Sequence, residues 1–269
     1  SLAGLNKKSE DYLKDARNFL ILEAIKIFEE LLPSYFLIEN VPRFKKMLFP
    51  VDGEYIDLEE LLIKKFGSSY NIKVEELNSA NFSVPQSRAR IVYRIWKKGL
   101  KWDIDNSKKI VTLEEAIGDL PSLESGEDSG LKNHFARLHP ENHILAMKHT
   151  PTGKSAFDNL EYYPKKKTGE KIKGYNNTYK RMNWDRPAPT VTMRNEIISS
   201  QENVHPGREL PDGTWSDARV LSLRELLIVS SLPAEMEIPK SLSERQFRTL
   251  VGEGIPPLMM KSILEGVVV

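Results

Sequence analysis

The sequence predicts an α/β fold, and three observations carry that prediction. Tyr35-Phe36-Leu37-Ile38 is a continuous apolar run, the pattern of a strand covered on both faces. Residues 90–96 are rich in β-branched and aromatic side chains, as a second strand requires. Amphipathic helical stretches lie before and between these runs.

Taken in order, residues 15–32 form a helix whose apolar positions are Phe19, Leu22, Ile25, Ile27, Phe28, Leu31 and Leu32, ended by Pro33. Residues 35–38 follow as a central parallel strand. Residues 58–66 form a second amphipathic helix, stopped by Gly67. Residues 72–77 suit a strand, and 90–96 make the next one. Helix, strand, helix, strand, strand is the order of the second half of a doubly wound sheet ending in an antiparallel pair. From about residue 101 to 205 turn residues are frequent and periodicity is rare, so a smaller, irregular domain is expected there. Within it, 112–120 is expected as a short helix with Thr112 and Glu115 as a capping box. From Ser222 the pattern is helical again, over 223–229, 243–251 and 257–264, with Pro256 and Pro257 suited to the first turn of the last helix. The expected organisation is therefore 1–100, 101–205 and 206–269.

A chain of 269 residues has ample core for one large domain or two modest ones. No apolar run approaches the ~20 residues of a membrane span, and no membrane partner is expected. Ser1-Leu2-Ala3-Gly4-Leu5-Asn6-Lys7-Lys8 lacks the apolar core of a signal peptide. The chain has no cysteine, which excludes disulfides and thiolate metal sites and fits a cytoplasmic protein.

The net charge of +1 leaves nucleic-acid binding open, so the placement of charge matters. Between Glu161 and Arg181, cations at Lys165, Lys166, Lys167, Lys171, Lys173, Lys180 and Arg181 outnumber the acids Glu161 and Glu170. Tyr162, Tyr163, Tyr175 and Tyr179 are interleaved. Lys165, Lys166 and Lys167 alone read as a solvated charge run. The whole stretch reads as a surface that meets phosphates.

Three short motifs bear chemistry. Glu39-Asn40-Val41-Pro42 places a carboxylate at the end of an apolar strand, where open α/β sheets hold ligands. Alone, Glu39 would more often be a structural cap. Gln86-Ser87-Arg88-Ala89-Arg90 spaces an amide and two guanidinia by two, which on a strand puts them on one face. That face is either an exposed basic edge or a grip for a base and its backbone. Gly252-Glu253-Gly254-Ile255-Pro256-Pro257 is the third.

Together these resemble the later motifs of the cytosine-C5 DNA methyltransferases. Asp15-Ala16-Arg17-Asn18-Phe19-Leu20 resembles the helix start after that family's active-site loop. Arg186-Pro187-Ala188-Pro189-Thr190-Val191-Thr192 looks like the segment closing its target recognition domain. Arg219-Val220-Leu221-Ser222-Leu223-Arg224-Glu225 resembles the helix returning to the catalytic domain. Six motifs in order cover nearly the whole chain. The resemblance implies the C-terminal half of a Rossmann-like S-adenosylmethionine-dependent methyltransferase domain, with residues 101–205 as the target recognition domain.

It also implies a mechanism. A target cytosine is flipped out of duplex DNA, a cysteine thiolate adds to C6, and S-adenosylmethionine methylates C5. Charge developing on the ring is quenched at N3, a role the resemblance gives to Glu39, with Asn40 beside it. Gln86, Arg88 and Arg90 would grip the base and neighbouring phosphate. Leu20, Glu253 and Ile255 would line the cofactor site. Arg181 and Thr190 would meet the DNA backbone, and the charge distribution, not the resemblance, adds Lys165, Lys166 and Lys167 to that contact. The family often has Asn where this chain has Glu253. A restriction-modification setting in a prokaryotic cytoplasm, at the nucleoid, is implied.

The family's Gly-rich cofactor loop, acidic ribose-binding residue and Pro-Cys-Gln nucleophile are not in this sequence. Ser1-Leu2-Ala3-Gly4 looks like the segment just past that cysteine. A split enzyme and a fragment of a longer protein are both favoured over a degenerate relative, since Glu39, Gln86, Arg88 and Arg90 are present. In the first two cases an N-terminal fragment or subunit carries the nucleophile and cofactor loop. A recognition subunit without chemistry is the alternative from another class, and transfer RNA the weaker substrate. His134, His139, His143 and His149 fit no zinc spacing. Trp96, Trp102 and Trp215 read as packing residues, while Trp184, beside Arg181 and Arg186, reads either way.

Overall fold

A computed structural model describes residues 19–166, 168–172 and 174–267. The chain divides into two compact units. One comprises the described residues up to Asn78 together with Ala89–Asn106 and the C-terminal residues from Ser262. The other comprises Ser79–Arg88 and Ser107–Lys261. The expected boundary near residue 100 is thus replaced by an excursion at 79–88 and a return near 262, and residues 206–261 group with the irregular region.

The first unit is built on a three-stranded sheet. Helix α1 (Leu20–Leu31) precedes β1 (Tyr35–Asn40). Its last turn ends at Leu32, which adopts a left-handed φ of 43° and donates its N–H to the Phe28 carbonyl. Pro33 follows and cannot continue the helix. Phe28 fixes the helix to the sheet, stacking on Phe36 at 4.7 Å and meeting Phe66 and Tyr70 edge-on. A hairpin of β2 (Leu48–Val51) and β3 (Glu54–Asp57) turns at Asp52 and Gly53, both at positive φ, the geometry that Asp-Gly favours. Asp57 then caps α2 (Leu58–Phe66), accepting from the Glu60 N–H at 2.9 Å. The sheet is completed by β4 (Tyr70–Asn78) and β5 (Ala89–Lys97).

Its order is β1-β5-β4, and both pairings are antiparallel. The expected antiparallel final pair is therefore present, but the central strand is β5. Residues 91–95 of β5 are all buried, whereas only Ile38 is buried in β1. An apolar run reports that both faces are covered and says nothing about strand direction, so the parallel, central placement expected for β1 does not describe this sheet.

The second unit has little regular structure between residues 107 and 222. It contains α3 (Leu113–Ile117) and α4 (Glu141–Lys148), and isolated bridges pair residues of its irregular segments. The expected Thr112/Glu115 capping box is formed. α5 (Leu223–Val229) and α6 (Glu244–Glu253) also start with capping boxes, Ser222/Glu225 and Ser243/Gln246. α7 (Pro257–Glu265) starts at the second of two prolines. One apolar cluster gathers Leu113, Ile117, Val191, Leu223, Leu227 and Phe247. A second gathers Met147, Ala156, Tyr179, Ile198, Val204 and Val220.

Between these clusters lies a buried charge network. Arg219 makes a two-toothed contact with Glu225 at 2.7 and 2.9 Å and reaches Asp217 at 2.7 Å. His205, buried, stands 3.8 Å from Asp217 and 3.6 Å from Glu225. Burial, reinforced by Arg219, pushes the His205 imidazole down to about 4. Burial disfavours the ionised Glu225 carboxyl, but Arg219 and His205 outweigh it and hold it at about 2.

Candidate active site and nucleic-acid surface

Glu39 stands opposite Val92 across the β1–β5 pair. Arg90 lies two residues before Val92, so period-two alternation puts Arg90 and Glu39 on the same face as diagonal neighbours. Arg90 Nε meets Glu39 Oε1 at 2.7 Å. The side chains are 12% and 21% exposed, so the pair is sheltered yet reachable. Asn40 turns inward on its own loop, its Oδ1 accepting the Val41 N–H at 2.9 Å. That bond and Pro42 shape the entry to the 3₁₀ turn Pro42–Lys46. The carboxyl, the guanidinium that orients it and the strand end on which they sit are thus placed by sheet geometry alone. Leu20, expected at the cofactor, is an exposed residue at the start of α1.

Gln86 and Arg88 have a different fate, which corrects their expected role. β5 begins at Ala89, so the alternation expected to align them with Arg90 does not extend to them. Both belong to the second unit, and both are buried. Arg88 donates from Nη1 to the Val191 carbonyl at 2.9 Å and from Nη2 to those of Gly252 and Glu253 at 3.0 and 3.2 Å. Gln86 accepts the Val191 N–H at 3.3 Å and donates to the Val229 carbonyl at 3.3 Å. Ser79, not singled out in the sequence, braces the same loop by donating to the Gln86 carbonyl and accepting the Arg88 N–H. These side chains satisfy buried backbone groups.

The bracing has a purpose. It joins three of the sequence motifs, at 86–88, at 186–192 and at 252–257. Ser87 N–H donates to the Ala188 carbonyl at 2.7 Å, and Ala188 N–H to that of Pro85 at 2.9 Å. Gly252 is required here, since a Cβ would strike the Thr192 carbonyl. Glu253 holds its side chain in solvent, while Ile255 is half-buried. Ile255 lines a cleft of about 220 Å³ with Gly254, Pro256, Met236 and Leu250.

Arg181 is a second correction. It is fully buried, donating to the carbonyls of Met147, His205 and Asp217 at 2.9, 2.8 and 3.1 Å. No phosphate can reach it. Burial pushes it down to about 10, partly offset by Asp217 and Glu124. Thr190 is at the surface, its hydroxyl donating to the Ser87 carbonyl at 2.8 Å. Lys165 and Lys166 are exposed on a narrow turn closed by a Lys165–Lys171 bridge. The Nζ atoms of Lys165 and Lys171 lie 4.7 and 4.9 Å from the Tyr163 ring. Lys167 lies outside the described residues, as do Lys173 and the motif residues before Phe19.

The histidines are structural: His134 is buried against Ser222 and the Pro121 carbonyl, His143 meets the Tyr179 hydroxyl, and His149 stacks on Tyr162. Trp184 is a packing residue, donating to the Gly207 carbonyl at 2.8 Å under the Arg208 guanidinium. Among the described residues no cluster could hold a metal ion, and no helix is long and apolar enough to cross a membrane.

This mixed α/β arrangement is a methyltransferase fold. The crystal structure of an E. coli prophage-encoded protein, described as a DNA modification methyltransferase, matches it with a TM-score of 0.62, covering 94% of this chain and 74% of that one at 19% identity. The chain belongs to the C-5 cytosine-specific DNA methylase family, whose model matches residues 1–268. Type II methyltransferase M1.HgaI of Avibacterium volantium is 49% identical over 263 residues, covering 98% of this chain and 74% of that protein. Type II methyltransferase M1.HphI of Haemophilus parahaemolyticus is 29% identical over 273 residues, covering 99% of this chain but 64% of that protein, just under two thirds.

Proposed function

We propose that this chain forms part of a DNA (cytosine-5-)-methyltransferase of a restriction-modification system, acting on a cytosine flipped from duplex DNA. The observation that carries the reading is the diagonal Glu39–Arg90 pair on adjacent strands. Family membership and the Type II methyltransferase relatives support the reaction class.

Nucleophilic addition at C6 of cytosine breaks the C5–C6 π bond and moves charge toward N3. Glu39 acts in its protonated form, taking its proton from solvent, and donates it to N3 as that charge develops. Arg90 orients the Glu39 carboxyl and offers the N–H donors not engaged with Glu39 or the Ala89 carbonyl to the exocyclic O2 of the base. After methylation, loss of the C5 proton to solvent or a base expels the thiolate from C6 and restores the C5–C6 double bond, and N3 returns its proton to Glu39. The nucleophile itself is a cysteine thiolate supplied from outside this chain, which has no cysteine. We assign it to an N-terminal fragment or subunit, without which the chain is inactive.

S-adenosylmethionine, when bound, supplies the methyl group. It presents a purine, a ribose diol and an amino-acid zwitterion. The cleft at Ile255 is mainly apolar, and its Gln86 carboxamide is already committed to Val191 and Val229. The described residues of that cleft therefore fit an edge of a cofactor cavity only, with Ile255 as apolar wall and the Glu253 carboxylate in solvent. Thr190, Lys165 and Lys166 are assigned to the DNA backbone.

The test is Glu39→Gln in the completed enzyme. Turnover should fall by about 10²-fold or more while duplex binding is nearly unchanged. Parallel loss of binding and activity would remove Glu39 from the chemistry.

A further inference from the structure

We propose that the cleft beside Thr190 reads DNA sequence, with the carboxamides of Asn183 and Gln201 contacting a base edge. The inference rests on the reading of the chain as part of a DNA methyltransferase. The cleft has a volume of about 540 Å³ and is lined in part by Ser87, Asn183, Arg186, Thr190 and Gln201. Of its other polar side chains, the Thr192 hydroxyl is buried without a partner among the described residues and most of the rest are committed. Lys180 pairs with Glu202, Arg186 with Asp185 at 3.2 Å, and Thr190 bonds the Ser87 carbonyl.

Asn183 and Gln201 differ from these. Neither side-chain amide has a hydrogen-bond partner among the described residues. Gln201 is exposed and Asn183 half-buried with its carboxamide close against Gly153, and both residues line the same cleft. A carboxamide carries a donor and an acceptor side by side. That pair complements N7 and the N6 amino group of adenine in the major groove. Arg186, more than half exposed, adds a cation at the rim for a phosphate.

The frame that presents them is fixed. Glu202 N–H donates to the Asn177 carbonyl at 2.7 Å, and Met182 N–H to that of Val204 at 2.9 Å. Tyr179 and Glu202 hold left-handed φ values of 46° and 38°. Side chains of this kind seldom adopt that region, and such strain gathers at ligand sites because surrounding contacts enforce it. The backbone that carries the two carboxamides is thereby held, and their side chains order when they meet a base.

The experiment is selection of bound duplexes from a random library by the chain and by its Asn183→Ala, Gln201→Ala and Gln201→Glu variants. The wild-type chain should enrich adenine at one position. Each alanine variant should lose that preference by roughly tenfold or more while keeping the others. Gln201→Glu, which only accepts, should move the preference toward cytosine. Thermal midpoints near wild type will show that the variants fold. Unchanged preferences, equal loss over all sequences, or no enrichment by the wild-type chain would overturn the proposal. Methyl transfer by the completed wild-type enzyme is scored separately. Its absence with selective binding intact would sink the methyltransferase reading and leave the reader standing.

Discussion

Arg88 and Arg90 lie two positions apart, and their guanidinia do different work. Arg90 faces a carboxylate at 2.7 Å, whereas Arg88 faces three backbone carbonyls. Arg88→Met should therefore act on stability first, costing on the order of 2–3 kcal/mol because buried carbonyls lose their donor. Urea unfolding measures this, and a stability within error of wild type would contradict the bracing role. Acid should also destabilise the chain. His205 is held at about 4 and His139, also by burial and then by Arg137, at about 4, against roughly 6.5 unfolded. A depressed pKa means the unfolded chain takes up protons first, so this stability is complete above pH ~6.5 and is lost as pH falls toward 4. Glu225, held at about 2, adds a further loss below its unfolded value. The thermal midpoint should fall steadily from pH 7 to pH 4, and His205→Asn should flatten the fall. A midpoint that rises on acidification would refute the buried neutral imidazole.

Elements with strong local signals were legible, and those set by tertiary contacts were not. The Thr112/Glu115 capping box is written in four residues, and α2 stands where its periodicity and Gly67 put it. α4 escaped notice because it opens at Pro140 without a side-chain cap. The β2–β3 hairpin carries its signal in Asp52-Gly53, a turn dipeptide between two short runs, which the wider periodicity does not register. Spacing alone suggested that Gln86, Arg88 and Arg90 share a face, yet β5 starts between the two arginines. Arg181 looked like a phosphate contact because no local pattern marks a buried arginine, whose partners come from 34 to 36 residues away in sequence or from His205. The Ser222 cap offers a test at this scale. Its hydroxyl accepts the Glu225 N–H and also meets His134 Nδ1 at 2.9 Å. Ser222→Ala should cost about 2 kcal/mol, the upper part of the range for a cap, against about 1 kcal/mol for Ser243→Ala, whose hydroxyl serves its cap alone. Equal losses in urea unfolding would argue that His134 adds nothing.

Within the molecule each unit carries a distinct share of the proposed chemistry. The sheet unit holds the carboxyl and the guanidinium that orients it. The loop-rich unit holds the braced motif junction, the exposed Lys165 and Lys166, and the cleft with Asn183 and Gln201. The nucleophile is assigned elsewhere, because no cysteine exists in the chain. The most direct measurement is transfer of labelled methyl groups from S-adenosylmethionine to duplex DNA, by the chain alone and by the chain combined with an N-terminal portion that carries the cysteine. Transfer only in the combination, lowered about 10²-fold or more by Glu39→Gln, is the result predicted. Transfer by the chain alone would contradict the external nucleophile. No transfer in either case, with sequence-selective binding retained, would make the chain a recognition subunit without chemistry.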